Sequence, residues 1–154
     1  MTVRGDDDIQ MSDYLSVRVE AQLFGLPIGQ VRDVFVPGVP TRVPLAPREV
    51  VGLINLRGRI VTAIDMRRRL GFPEREIVRP MVVGVEARGE SYGLVVDAVG
   101  ELMKLDAAAR QPVPSPLDAG FGGVAAGIHR LDGHLLVVLD IDRVLDLDNM
   151  AAAA

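Results

Sequence analysis

The sequence predicts a mainly β fold made of two similar subdomains, and three observations carry that reading. Short runs of alternating apolar and polar residues recur along the chain, turns containing Gly join them in pairs, and the chain matches itself at fixed offsets. Ten Pro and 16 Gly in 154 residues interrupt the sequence too often for long helices. A hydrophobic fraction of 49% is ample for a packed core.

Residues 1–13 are polar and aperiodic, with the run Asp6-Asp7-Asp8, and read as a disordered tail. Residues 14–20 form the first strand, with Leu15, Val17 and Val19 on one face and Ser16, Arg18 and Glu20 on the other. Residues 53–56 and 59–64 are a hairpin about Arg57-Gly58, where Gly58 supplies the positive φ that such a turn needs. A short helix over 66–70 follows Asp65, a residue that caps a first turn. Residues 81–86 turn through Arg88-Gly89 into 92–96. Residues 127–131 turn through Asp132-Gly133 into 135–139, and a second short helix over 141–147 follows Asp140. Between these hairpins, residues 110–123 hold Pro112, Pro114, Pro116, Gly120, Gly122 and Gly123 and read as a loop. The Ala-rich end, 148–154, is a second tail.

At an offset of 75, Leu56 meets Leu131, Gly58 meets Gly133, Ile60 meets Leu135, Ile64 meets Leu139, Asp65 meets Asp140 and Arg68 meets Arg143. At an offset of 68, Phe24-Gly25-Leu26 meets Tyr92-Gly93-Leu94, Val31 meets Val99, Asp33 meets Glu101 and Val34 meets Leu102. The folded part, 14–147, therefore divides into subdomains of about 14–75 and 76–147, with strands or the last helix free to cross over. Each holds some five strands, the number that suits a small curled barrel hiding its own strand edges. About 65 residues is marginal for one core, so the two should share a hydrophobic interface. Ile60 and Leu135, like Ile64 and Leu139, are expected at equivalent buried positions.

Composition removes many functions. Lys plus Arg 17 against Asp plus Glu 21 leaves a net charge of −4, so there is no basic field to attract nucleic acid or anionic lipid. No Cys excludes disulfides, zinc ribbons and thiol nucleophiles, and two His leave little for a metal centre. No apolar run approaches the length of a membrane span and no cationic, apolar leader opens the chain, so a cytoplasmic protein without direct membrane insertion is expected. His129-Arg130-Leu131-Asp132 matches a kinase catalytic loop by coincidence, in a chain far too short for a kinase. Gly120-Phe121-Gly122-Gly123 follows no strand and opens no helix, as a dinucleotide site would require. Asp140 and Asp142 near His129 or His134 are better explained by helix capping than by a cation, and Ser12, Ser16, Ser91 and Ser115 lack a nucleophile-elbow context. Neither an enzyme nor a cofactor is expected. The basic run Met66-Arg67-Arg68-Arg69 reads as a solvated helix face. Arg57 differs, because a turn tip has no core duty for arginine and a rigidly displayed guanidinium is a good planar donor to a partner carboxylate or carbonyl.

The stretch Val51-Gly52-Leu53-Ile54-Asn55-Leu56-Arg57-Gly58-Arg59-Ile60-Val61-Thr62-Ala63-Ile64-Asp65-Met66-Arg67 resembles the signature of the CheW family of chemotaxis coupling proteins. Three further blocks agree: Phe24-Gly25-Leu26-Pro27-Ile28 with Val31-Arg32-Asp33-Val34, then Tyr92-Gly93-Leu94-Val95-Val96-Asp97-Ala98-Val99, and residues 136–145. The resemblance implies two SH3-like five-stranded barrels and a non-enzymatic adaptor. Its partners would be the cytoplasmic tip of chemoreceptors, the regulatory domain of the histidine kinase CheA, and other CheW-like domains in array rings. By the same resemblance, Arg57 serves receptor coupling, with Asp33 standing where the family more often has Glu. Val31, Val34, Val96 and Val99 would line an apolar groove for the receptor tip, and Gly52, Gly58 and Gly133 are structural turn residues. A CheW-like scaffold recruited to pilus motility or polar positioning is the rival reading. A small-molecule-binding β-barrel is a more distant one.

Overall fold

The computed structural model describes residues 10–76, 79–121 and 123–146. Its strands are β1 (Met11–Val19), β2 (Gln22–Pro27), β3 (Val31–Phe35), β4 (Val50–Leu56), β5 (Arg59–Asp65), β6 (Met81–Ala87), β7 (Glu90–Val96), β8 (Ala98–Asp106), β9 (Ala125–Leu131) and β10 (His134–Leu139). The helices are short: α1 (Met66–Arg69), α2 (Ser115–Gly120) and α3 (Ile141–Val144). Asp65 and Asp140 cap α1 and α3 as expected, each carboxylate accepting from backbone N–H groups of its helix. The first strand begins at Met11, so residues 11–13 are not tail; of the expected tails, 1–9 and 148–154 lie outside the described residues.

The strands form two five-stranded sheets, ordered β3-β6-β7-β5-β4 and β8-β1-β2-β10-β9. We call them the central barrel and the terminal barrel. Each curls far enough to cover its own ends. In the central barrel the chain after β3 returns beside β4, where Thr41 and Leu53 exchange both backbone hydrogen bonds at 2.8 and 2.7 Å. In the terminal barrel Gln111 and Ile128 exchange the same pair at 2.8 and 2.9 Å.

The two offsets read from the sequence reappear as strand register. Val83 opposite Leu94 corresponds to Leu15 opposite Leu26, and Val31 opposite Val85 to Val99 opposite Val17. The parallel pair Thr62 opposite Tyr92 corresponds to Val137 opposite Phe24, which uses both offsets at once. The division near residue 75 is crossed by strands, as it allowed. The central barrel joins β3, β4, β5 and α1 to the next repeat's hairpin β6–β7, and β1–β2 completes the terminal barrel with β8, β9, β10 and α3. The repeats exchange hairpins, and two short crossings, residues 28–30 and Asp97, carry the chain between barrels.

Each barrel has its own small interior: Ile54, Leu56, Val61, Ala63 and Val82 in one, Tyr14, Leu136 and Val138 in the other. The largest cluster belongs to both, joining Leu15, Val17, Val19, Phe24 and Leu26 to Ile64, Met66, Val83, Val85 and Leu94. Ile64 and Leu139 are buried there as expected. Ile60 is not, at 63% exposure; it shares a strand face with Ile64 but sits beside the turn, beyond the reach of the shared core. Leu135 is half-buried. The stretch expected to be a loop contains α2, and Phe121 after it packs edge-on to Phe24, 5.2 Å between ring centroids, with Phe72 against both.

Candidate functional site

The β4–β5 turn is rigid. Arg57 and Gly58 both lie in the left-handed region, φ 51 and 86, the geometry of a primed two-residue hairpin turn, so Gly58 is not alone in supplying positive φ. The Asn55 side chain accepts a hydrogen bond from the Gly58 N–H at 2.8 Å and pins the turn from inside. Arg57 is thereby held out, with 75% of its side chain exposed, and its Nη1 lies 3.4 Å from Oδ1 of Asp33 on β3. β3 and β4 stand at opposite ends of the sheet order, so curling is what brings this pair together. One end of the central barrel thus presents a guanidinium whose partner carboxylate is itself partly exposed, leaving donor N–H groups for an incoming acceptor.

Of the four valines expected in a groove, Val31 and Val99 occupy equivalent positions just after the two crossings, half-buried against the shared core. Val34 is 39% exposed on β3, and its equivalent Leu102 is 62% exposed on β8. Val96 is corrected: at 1% exposure it is core and has no surface to offer. The side-chain alternation of β7 turns it inward, which an apolar pattern alone does not distinguish from a lining position. Gly52 is also corrected as a turn residue. It lies inside β4 at a bulge, φ 148, and a Cβ there would come within 2.3 Å of the Thr41 carbonyl oxygen. Gly133 does sit in its turn, at φ 80.

The basic run on α1 is not a solvated face. Arg67 is buried, its Nε donating to Oδ1 of Asp97 at 3.0 Å while its two Nη groups reach Asp97 and Glu20. Burial opposes its charge, but the hydrogen bonds to Asp97 and Glu20 more than compensate and raise its pKa above the ordinary value. Arg69 donates to the carbonyl oxygens of Val144 and Arg143 at 3.0 and 2.8 Å, satisfying the end of α3, while burial lowers its pKa. Sequence spacing could not reveal these contacts, because the partners lie in other elements.

A second exposed feature is the Pro-punctuated segment after β3. Val36, Val39 and Leu45 are 74%, 96% and 103% exposed, and Leu45 lies in the left-handed region at φ 64. Pro37, Pro40, Pro44 and Pro47 stiffen it, and Arg42 and Arg48 flank it. Rigid display of apolar side chains is the chemistry of a docking surface. Tyr92 donates its hydroxyl to Glu90 at 2.6 Å, and that bond, with burial, pushes its pKa up to about 12. Among the described residues, no group of three or more His, Asp or Glu is arranged to hold a metal ion, and no helix is long and apolar enough to cross a membrane.

Residues 13–149 match the family model described as the CheW-like domain. The chain is 29% identical over 144 residues to a chemotaxis protein CheW of Rhizobium meliloti (strain 1021), covering 92% of each. It is 26% identical over 136 residues to the chemotaxis protein CheW of Bacillus subtilis (strain 168), covering 88% of this chain and 87% of that one. Its structure superposes on the crystal structure of the scaffolding protein TtCheW from Thermoanaerobacter tengcongensis with a TM-score of 0.81 and 27% identity, covering 90% of this chain and 95% of that one.

Proposed function

This chain belongs to the CheW-like domain family of chemotaxis scaffolds, which act without catalysis, and from that premise we propose that it couples chemoreceptors to the histidine kinase CheA. The carrying observation is the match across nearly the whole folded chain together with the paired-barrel geometry. The receptor's cytoplasmic tip lies against Val31 and Val99 at the joint between barrels, with Val34 and Leu102 flanking it and Arg57 and Asp33 as its polar edge. A helical hairpin suits that position, since an apolar strip with a guanidinium beside it fits the apolar face and exposed carboxylates or carbonyls of an amphipathic helix.

The kinase's regulatory domain docks on the rigid apolar segment holding Val36, Val39 and Leu45, an apolar centre with Arg42 and Arg48 at its rim. The protein works in the cytoplasm, beside receptor arrays it reaches only through partners. Signalling contacts of this kind are often small and reversible, so affinity for the regulatory domain is expected on the order of micromolar. Calorimetry with the cognate regulatory domain, followed by reconstitution with a receptor cytoplasmic fragment and kinase, tests both halves. Absence of binding at high micromolar concentration would instead favour a CheW-like scaffold serving a non-chemotactic assembly.

A further inference from the structure

The joint between the barrels is built differently on its two flanks. On one, Arg67 of α1 reaches Glu20 in the β1–β2 turn and Asp97 at the second crossing, and the Glu20 N–H also donates to Asp97 Oδ2 at 2.9 Å. Three separate pieces of chain therefore meet on one guanidinium: the central barrel's helix, the terminal barrel's hairpin and the strand crossing between them. By the offsets of 75 and 68, the equivalent positions on the other flank are Asp142, Arg88 and Gly29. Among the described residues no buried guanidinium clamps that flank; Gln30 at the first crossing makes only long hydrogen bonds to Asp142 Oδ1 and the Glu86 carbonyl, 3.5 Å each. Arg88 and Asp142 instead line an open cleft of about 380 Å³ with Glu90 and Tyr92.

We propose that Arg67 is the positioning residue of the joint, fixing the orientation of the two barrels and with it the separation of Val31 and Val99. The inference rests on the receptor reading of the groove for its functional consequence and on geometry alone for its structural one. A bidentate guanidinium fixes direction as well as distance, which apolar contact does not. The shared core holds the barrels together through contacts that are themselves non-directional, and the other directional link between α1 and the terminal barrel is Arg69, which donates to the Val144 and Arg143 carbonyls at the end of α3. Asp97 lies two residues before Val99, so the crossing that Arg67 grips is the one that delivers a groove residue into β8.

The absence of Cys makes the test direct. Spin labels at Lys104→Cys, on the terminal barrel, and Arg59→Cys, on the central barrel, report the inter-barrel distance distribution by pulsed dipolar spectroscopy in the full chain. With Arg67 present the distribution should be single and narrow. Arg67→Lys, which keeps charge but loses the fork, and Asp97→Asn, which keeps shape but loses charge, should broaden or shift it, whereas Asp142→Asn on the other flank should not. A purely stabilising role would lower the melting temperature of these variants and leave the native distribution narrow; that result would overturn the proposal, as would equal broadening by Asp142→Asn. Arg67→Met is a stronger perturbation, and should it not fold, the two conservative variants decide the question. In parallel, affinity for a receptor cytoplasmic fragment should fall about tenfold in Asp97→Asn, while affinity for the kinase regulatory domain stays within about threefold. If the distribution changes but the unmodified protein binds no receptor fragment, the joint stands and the receptor reading fails.

Discussion

The central and terminal barrels have the same strand order and the same register, yet their matching positions carry different chemistry. The interior residues Ile54 and Val82 of the central barrel correspond to His129 and Tyr14 of the terminal one, whose rings pack 5.7 Å apart. Arg67 corresponds to Asp142, and the hairpin tip Arg57 to Asp132. What the barrels share are the residues that shape backbone: Asp caps, Gly in turns, and apolar residues facing the joint. What they do not share are side chains whose value depends on a neighbour outside their own repeat. The repeated backbone plan accounts for the former, and the different tasks proposed for the two barrels would account for the latter.

The clamp is where the comparison should break hardest. Removing the Arg67 guanidinium leaves Glu20 and Asp97 partly buried and facing each other, and losing one partner of such a network costs about 3–5 kcal/mol. Arg67→Met should therefore lower the free energy of unfolding, measured by urea denaturation, by about that amount. Asp142→Asn, at the exposed equivalent, should change it by no more than about 0.5 kcal/mol. Equal effects at the two sites would show that the Arg67 clamp adds nothing to the joint that its exposed equivalent lacks.

A matched glycine pair gives the next contrast. At Gly52 a side chain meets backbone, the Thr41 carbonyl, in a φ range that only glycine adopts comfortably, and neither the bulge nor the Thr41–Leu53 hydrogen bonds can move aside. Gly52→Ala should cost about 2–4 kcal/mol. At Gly127 the obstruction is the stem of Arg110, at 2.7 Å, which is flexible. Gly127→Ala should cost less than about 1 kcal/mol, and thermal melts of the two variants side by side check the difference.

The sequence made the strands, caps and repeats legible because each is written locally, in alternation, in Asp before a helix and in Gly at a turn. That strands are free to cross between repeats could be read from the sequence; which hairpins exchange could not, since an offset between two hairpins says that they are alike and not which strands they join. Arg57 and Asp33 were each readable as site residues, but their contact required the sheet to curl. Arg67 is illegible for a related reason: on a four-residue helix a basic run looks solvated unless the partners, 47 residues before and 30 residues after it, are known to lie beside it. Phe121 was hidden by the Pro and Gly around it, which describe the backbone of the segment but not the pocket its ring fills.

The interior contrast predicts a pH effect confined to the terminal barrel. His129 is 2% exposed, and burial first, then the positive charge of Arg110, lower its pKa, with Asp106 opposing them more weakly. A histidine with a lowered folded pKa binds its proton more readily in the unfolded chain, so stability rises with pH across the window between the two values. As pH falls below about 6.5, the ordinary histidine value, the protein should therefore lose stability until the folded pKa is reached. His129→Ile, which copies Ile54 at similar volume, should remove that dependence and change stability little near pH 8. A profile of melting temperature against pH with the same slope in both proteins would place the acid sensitivity elsewhere.

The smallest effect on stability, and the sharpest on function, is expected at the hairpin tips. Arg57 and Arg88 both occupy the left-handed region, φ 51 and 53, at the first position of a two-residue turn followed by glycine. Asn is tolerated better there than Arg, because its short side chain suffers less crowding and can hydrogen-bond locally. Arg57→Asn and Arg88→Asn should accordingly leave stability unchanged or raise it by up to about 1 kcal/mol, so neither variant can lose function by unfolding. Only the first removes the guanidinium beside Asp33. If that group contacts the receptor, Arg57→Asn should weaken receptor-dependent kinase activation about tenfold to a hundredfold, the loss of a charge-assisted contact of about 1.5–3 kcal/mol. Arg88→Asn should leave activation intact, and so should Asp132→Asn at the matching tip of the terminal barrel. Equal losses from Arg57→Asn and Arg88→Asn would mean that activation responds to turn flexibility, whereas no loss from either would return Arg57 to the solvated surface. A loss at Arg57 alone would show that the two barrels, built on one backbone plan, assign receptor recognition to a single tip.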